Sequence, residues 1–296
     1  MSHRNGVVNA LTFDYEDWYH GLEIPPDQWE GFEERIEPAT GRLLGILERA
    51  KCRATFFVLG WLAERRPDLV LRLRDSGHDI GTHGYSHRLV YRMTPEEFRE
   101  DLKRSIELLQ GLTGKPVTSY RAPFFSITER SLWALDILAE LGIRMDSSIF
   151  PVHNYRYGIP GAPRGPHMRQ AGGREILELP ISVVKFLGQN VPVSGGAYFR
   201  ILPYWVTRNG IRSLNSKGKP AVFYLHPWEI DPGQPRLNTS ALGRLRHYRN
   251  LHDTERRLRQ LLQDFRFSAL TAMLAQDPIC VVPRAAAAAA ALPYVW

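Results

Sequence analysis

The feature that most limits the fold is an alternation. Short β-rich apolar runs follow one another along the chain, separated by longer amphipathic stretches, and almost every run ends on residues able to do chemistry. Residues 7–13, 54–58, 79–81, 117–120, 145–147, 176–179 and 221–225 read as strands. Residues 39–49, 67–76, 128–141, 202–214 and 253–264 read as helices. The helix opening at Thr94 is the best marked: Thr94 caps, Pro95 takes the first helical position and Glu97 closes a capping box, ahead of a buried face of Phe98, Leu102, Ile106 and Leu109. Alternating strands and helices imply an α/β fold with a mostly parallel sheet. About seven such strands favour a distorted (β/α) barrel over an open sheet. Residues 151–174, rich in Pro, Gly and Arg, read as one long loop. The expected organisation is one barrel domain over 1–275, with the chemistry-bearing core at 7–150, a C-terminal region at 151–275 and a low-complexity Ala-rich tail at 276–296.

Composition excludes several classes. Hydrophobic residues make up 44% of 296, enough for a sizeable core. The net charge of +7 comes mostly from scattered Arg, with no basic stripe interleaved with aromatics, so nucleic acid is not an expected partner. A positive surface also steers anionic substrates, but solubility is the simpler reading. Cys52 and Cys280 lie far apart and indicate no disulfide framework. No apolar run reaches membrane-spanning length and the N-terminus shows no secretory h-region, so a cytoplasmic location is the expectation.

The polar clusters carry the functional argument. In a β/α barrel the C-terminal strand ends form one rim, where catalytic groups gather. Here those ends supply Asp14, Glu16 and Asp17, then His83 and His87, then Arg121, Asp146 and His226. Two His four apart face the same way if the backbone makes one helical turn, and neutral imidazoles suit zinc or a neighbouring divalent ion. In extended backbone Asp14 and Glu16 share a face, so one can bind metal while the other handles protons. The plain alternatives are two surface His, an acidic turn in which Asp17 caps the next segment, a surface Arg121 and a core His226.

Taken together these residues resemble the polysaccharide deacetylases of carbohydrate esterase family 4, from about Val7 to Phe267. Thr12-Phe13-Asp14, His83-Gly84-Tyr85-Ser86-His87, Arg121-Ala122-Pro123-Phe124, Asp146-Ser147-Ser148 and Leu225-His226 follow the five family motifs in order. The resemblance implies that Asp14 is the catalytic base, Arg121 its orienting cation and His226 the acid, with Asp146 building the groove and tuning that acid. It places Tyr120, Pro123, Phe124 and Trp228 against substrate and an oxyanion-binding N–H near 120–123. The common form has a second Asp after the base; here that position is Tyr15. The Asp-x-Glu spacing is similar to the peptidoglycan deacetylase and allantoinase-like branch, which makes Glu16 the metal ligand with His83 and His87, and Asp17 the alternative. Phe13-Asp14-Tyr15-Glu16-Asp17-Trp18, Gly195-Gly196-Ala197-Tyr198-Phe199-Arg200 and His226-Pro227-Trp228-Glu229 resemble the deacetylases of exosortase exopolysaccharide loci.

What the resemblance implies is a metal-dependent hydrolase removing acetyl groups from an N-acetylated polysaccharide during exopolysaccharide biosynthesis. Zinc is the expected ion, with cobalt, nickel or manganese as substitutes. The alternatives are a small cyclic amide hydrolase and an inactive carbohydrate-binding protein.

Overall fold

The computed structural model describes residues 6–22 and 24–276. All but the first residue of the Ala-rich tail, and Cys280, fall outside them. The central strand is β1 (Val8–Tyr15), whose residues are buried on both faces after the first. That pattern is the mark of a parallel strand covered on both sides. It pairs in parallel with β2 (Thr55–Val58) on one side and with β10 (Val222–Leu225) on the other. From β2 the sheet continues through β3 (Asp79–Thr82), β4 (Ser119–Tyr120) and β5 (Met145–Asp146), then β7 (Arg174–Glu178) and the antiparallel edge strand β6 (His167–Ala171). A short β11 (Arg266–Ser268) also pairs with β1. The architecture is thus the expected α/β one.

The ladder does not close by strand pairing, but single bonds cross the gap between β7 and β10. Ser182 N–H donates to the Val222 carbonyl at 3.3 Å, Val222 N–H to Ser182 Oγ at 2.8 Å, and Tyr224 N–H to the Ser194 carbonyl at 3.0 Å. Gly195 completes this seam at φ +124°, where a Cβ would stand 1.8 Å from the Tyr224 carbonyl oxygen, so no other residue fits.

Helices cover the sheet: α1 (Ile36–Arg49), α2 (Gly60–Arg65), α3 (Pro67–Asp75), α4 (Pro95–Thr113) and α5 (Ala134–Glu140). On α4 the expected capping box is present. Thr94 Oγ1 accepts from Glu97 N–H at 3.2 Å, and the Glu97 carboxylate accepts from Thr94 N–H at 2.8 Å. Gly114 ends the helix at φ +66°, and Phe98, Leu102, Ile106 and Leu109 face the core. Thr94→Ala removes one of these bonds and should cost about 1 kcal/mol, lowering the thermal midpoint by roughly 2–4 °C in a differential scan. The helix expected over 128–141 is shorter, because a separate 3-10 turn (Glu129–Ser131) precedes α5.

The C-terminal region departs furthest from expectation. The segment read as one loop over 151–174 contains β6, turned back onto β7 by Gly172 and Gly173 at φ +55° and +75°. That is a two-residue turn for which a Gly-Gly pair is suited. A second hairpin, β8 (Val183–Phe186) with β9 (Gln189–Pro192), was not expected at all. The helix expected over 202–214 is α7 (Tyr204–Asn215), and a separate short helix not expected, α6 (Gly196–Ile201), precedes it across Pro203. They are followed by α8 (Ala241–Tyr248), α9 (Leu251–Asp264) and α10 (Leu270–Gln276). No described helix is long and apolar enough to cross a membrane.

Candidate active site and metal centre

The ends of β1, β3, β4 and β10 bring Asp14, Glu16, His83, His87, Arg121 and His226 to one place. The donor atoms of Glu16, His83 and His87 all lie within 4.8 Å of one another, and all three side chains are buried. Glu16 Oε2 is 2.5 Å from His87 Nε2 and 3.9 Å from His83 Nε2, yet it hydrogen-bonds to nothing. A buried carboxylate oxygen left so is costly unless a cation completes it. His83 Nδ1 meets the Arg121 carbonyl at 2.7 Å and so must carry the proton, leaving the Nε2 lone pair directed at Glu16. Burial pushes the His83 pKa down to about 4, so the ring is neutral at physiological pH. For Glu16 burial is the largest influence and would raise its pKa, but His87, His226 and His83 together hold it well below the usual carboxylate range. One carboxylate and two imidazoles form a three-ligand set that fits zinc and leaves a position open.

The histidines converge for a different reason from the one expected. Residues 83–89 form no helical turn. Gly84 at φ +74° and His87 at φ +53° bend the loop, and Asp101 of α4 clamps it. The Asp101 carboxylate accepts from Tyr85 N–H at 2.7 Å and Ser86 N–H at 3.0 Å, and from the Ser86 hydroxyl. No local signal marks Asp101, which reads as one more acid on a solvated helix.

Asp14 and Arg121 make a buried pair. Arg121 Nη1 donates to Asp14 Oδ1 and to Thr12 Oγ1, both at 2.8 Å, while Nε and Nη2 donate to the carbonyl and hydroxyl of Ser147 at 3.0 and 2.8 Å. The guanidinium is wholly buried and lies over Phe57. All three nitrogens of that fork are thereby engaged, leaving Asp14 Oδ2 to face His226. His226 stands opposite, with Nε2 3.8 Å from Asp14 Oδ2 and 3.7 Å from Glu16 Oε1, and its side chain is 18% exposed.

The group tuning His226 is Glu229, not Asp146. Glu229 Oε1 accepts from the His226 backbone N–H at 3.0 Å and lies 2.7 Å from Nδ1, while Oε2 accepts from Arg200 Nε at 2.5 Å. Burial would raise the Glu229 pKa, but Arg200 and His226 outweigh it and hold it at about 2. Burial likewise opposes the imidazolium of His226, and the hydrogen bond and charge of Glu229 overcome it, raising its pKa. Asp146 instead accepts from the Ser148 hydroxyl, whose oxygen accepts from Ala122 N–H at 2.8 Å. It therefore props the 121–125 turn and touches His226 not at all. Burial raises its pKa, and burial together with the charge of Asp146 raises that of the Glu178 carboxyl beside it.

Five other expected site residues take the following places. Asp17 accepts from the backbone N–H groups of Trp18, Arg35 and Ile36, the last two at the start of α1, so it caps and does not ligate. Tyr120 is buried against Phe98, and Trp228 is buried between His226 and His247. Pro123 is buried too, whereas Phe124 is half-buried at φ +54° with its ring 4.6 Å from that of His87. Arg200 and Glu229 are the functional residues missed. Their signal was the pair of stretches Gly195–Arg200 and His226–Glu229, noted as motifs but without a link between them.

Comparison with known proteins agrees with this geometry. The profile of the polysaccharide deacetylase family matches residues 4–145, and that of a domain of unknown function, DUF3473, matches 147–275. The peptidoglycan-N-acetylglucosamine deacetylase of Bacillus cereus is 36% identical over 130 residues, 44% of this chain and 46% of that protein. The peptidoglycan deacetylase of Helicobacter pylori is 33% identical over 136 residues, 46% of this chain and 44% of that one. The chain thus spans about half the length of the curated relatives it matches. A crystal structure from Mycobacterium smegmatis, assigned to the polysaccharide deacetylases, superposes over 100% of this chain and 97% of its own with a TM-score of 0.66 at 19% identity, a likeness of fold. Residues 4–145, which supply Asp14, Glu16, His83, His87 and Arg121 of the site, thus carry a match to the polysaccharide deacetylase family.

Proposed function

We propose that this protein is a metal-dependent deacetylase that hydrolyses acetamido groups of an N-acetylated polysaccharide, in the maturation of an exopolysaccharide. The observation that carries the reading is the meeting of three units in one pocket of a deacetylase domain: the Asp14–Arg121 pair, the Glu16–His83–His87 set and the His226–Glu229 pair. A divalent ion held by the second unit would supply Lewis acidity, activating water and polarising the acetyl carbonyl.

The chain's own groups handle the protons. Asp14, oriented by the Arg121 hydrogen bond at Oδ1, takes the proton of the attacking water on Oδ2. As the C–N bond breaks, His226 delivers the proton of Nε2 to the departing amine, giving acetate and a free amino sugar. The N–H groups of Arg121 and Ala122 are engaged by Thr82 and Ser148, and Pro123 has none, so we assign the oxyanion-binding role on this turn to the N–H of Phe124. Asp14 Oδ2 and His226 Nε2 stand 3.8 Å apart, beyond direct hydrogen-bond reach, so the proton returns from the first to the second by way of solvent, which resets both groups.

The test of the reaction is acetate release, with matching loss of acetyl mass, from N-acetylated oligosaccharides incubated with the metal-loaded protein. The ligand assignment has its own test. Glu16→Ala and His87→Ala should each reduce bound zinc from about one ion per chain to a small fraction, whereas Asp17→Ala should retain it. Metal analysis of the purified variants decides, and loss of zinc in Asp17→Ala alone would reverse the assignment.

A further inference from the structure

Charge is distributed unevenly along this chain. Residues 147–228 contain ten Lys and Arg but only two Asp and Glu, a net +8, while all other residues together come to −1. Of those two acids, Glu178 is buried beside Asp146 and Glu175 pairs with Gln170 on the β6–β7 hairpin. Between Glu178 and Glu229 no acidic residue occurs.

One of these cations stands at the catalytic rim, and two more line a cavity that aromatic contacts join to it. The loop after Phe150 sets Arg156 over the ring of Phe124 at 3.9 Å, and that ring packs against His87 of the metal set. The neighbouring Tyr155 hydroxyl accepts from Arg246 of α8 at 2.9 Å. The same loop and the β8–β9 hairpin enclose a cavity of about 450 Å³, whose wall includes His153, Arg164, Lys185, Asn190 and Tyr198 and no acidic residue. Aromatic contacts join the cavity to the site. The Tyr198 and Tyr157 hydroxyls meet at 3.1 Å, Tyr157 packs on Phe125, and Phe125 packs on Tyr224, two residues before His226. Guanidinium forks match the geometry of carboxylate and phosphate, and a concave wall of one charge concentrates the opposite ion.

We propose that the glycan is acidic. A sugar unit adjoining the acetamido group under attack carries a carboxylate or phosphate that Arg156 binds, and the polymer runs on to the cavity, where Arg164 and Lys185 receive a further acidic unit. This rests on the deacetylase reading and names its substrate class. The observations favour a glycan over an anionic membrane because the cations line a hollow beside the site. The exposed apolar apex of the second hairpin, Phe186 at 65% and Leu187 at 87%, is only two residues long, and its neighbour in sequence, Lys185, belongs to the cavity wall.

The test uses the metal-loaded full chain and measures binding and acetate release separately. The probes are neutral chitotetraose, a hyaluronan tetrasaccharide bearing carboxylates, and chitotetraose phosphorylated at O6. At low salt at least one anionic probe should bind about tenfold more tightly than the neutral one. The advantage should shrink as salt rises from about 50 to about 300 mM. Which anionic probe gains identifies the oxyanion. Arg156→Gln, and separately Arg164→Gln with Lys185→Gln, should each reduce the anionic-to-neutral ratio several-fold. Arg99→Gln with Lys103→Gln, which removes two charges from α4, should leave the ratio intact. Equal affinity for all three probes would overturn the proposal, as would an equal fall in the α4 control. Stronger association with phosphatidylglycerol vesicles, lost in the Arg156 and Arg164/Lys185 variants, would overturn it in favour of a membrane surface. Acetate release from every probe at equal affinity refutes the acidic glycan while keeping the deacetylase. Tight anionic binding without acetate release from any probe does the reverse.

Discussion

Asp14→Asn is expected to lower kcat for acetamide hydrolysis by about 10²–10⁴-fold, the range a positioned general base contributes. The variant keeps the shape of the side chain and an oxygen for Arg121, so the chain should remain folded with its metal content unchanged. It should not keep full stability. The pair is buried, with Arg121 wholly so, and Asn removes the charge that balances the guanidinium. Breaking a buried pair by truncation costs about 3–5 kcal/mol; here the retained bonds to Thr12 and Ser147 should keep the loss below that range. The checks are turnover, metal stoichiometry and a thermal melt of the same preparation. Unchanged kcat in a folded, metal-replete variant would show that another group takes the proton.

The parts of this site legible in the sequence are those set by local pattern and by strand ends. Asp14, Glu16, His83, Arg121 and His226 each follow an apolar run directly, and parallel pairing carries them to one rim. Residues acting across the fold were not legible. Asp101 lies on α4, and nothing in the spacing of that helix says that its outer face receives a loop. Glu229 and Arg200 stand 29 positions apart and meet only because Gly195 and Gly196, at φ +124° and +54°, lay α6 against the end of β10. Asp146 illustrates the opposite error. Its place at a strand end is as expected, but its neighbour is the buried Glu178, so its carboxyl turns to Ser148 and away from His226. The hairpins of the C-terminal region escaped because their strands are short and only partly buried, which weakens the alternation that marks a strand.

The role of His226 can be separated from packing by the choice of leaving group. An amine leaves poorly unless protonated, whereas the phenolate of an activated aryl acetate leaves unaided. His226→Ala should therefore reduce acetamide turnover by about 10²–10⁴-fold and aryl acetate turnover by no more than about tenfold. Equal proportional losses would make His226 a binding or packing residue. Glu229→Gln adds a pH test whose sign follows from the hydrogen bond at Nδ1. Glu229 raises the His226 pKa in the native protein by favouring the imidazolium. The acid works only while protonated, so kcat declines as pH rises through that pKa. With Gln the carboxylate charge is gone, the pKa falls, and the alkaline limb of the profile should move to lower pH, while the acidic limb stays in place. Glu229→Gln also deprives buried Arg200 of its counter-charge, so a melt must accompany the profile. General loosening of the site would scale the whole curve down without moving either limb, and that result would remove Glu229 from the tuning of the acid.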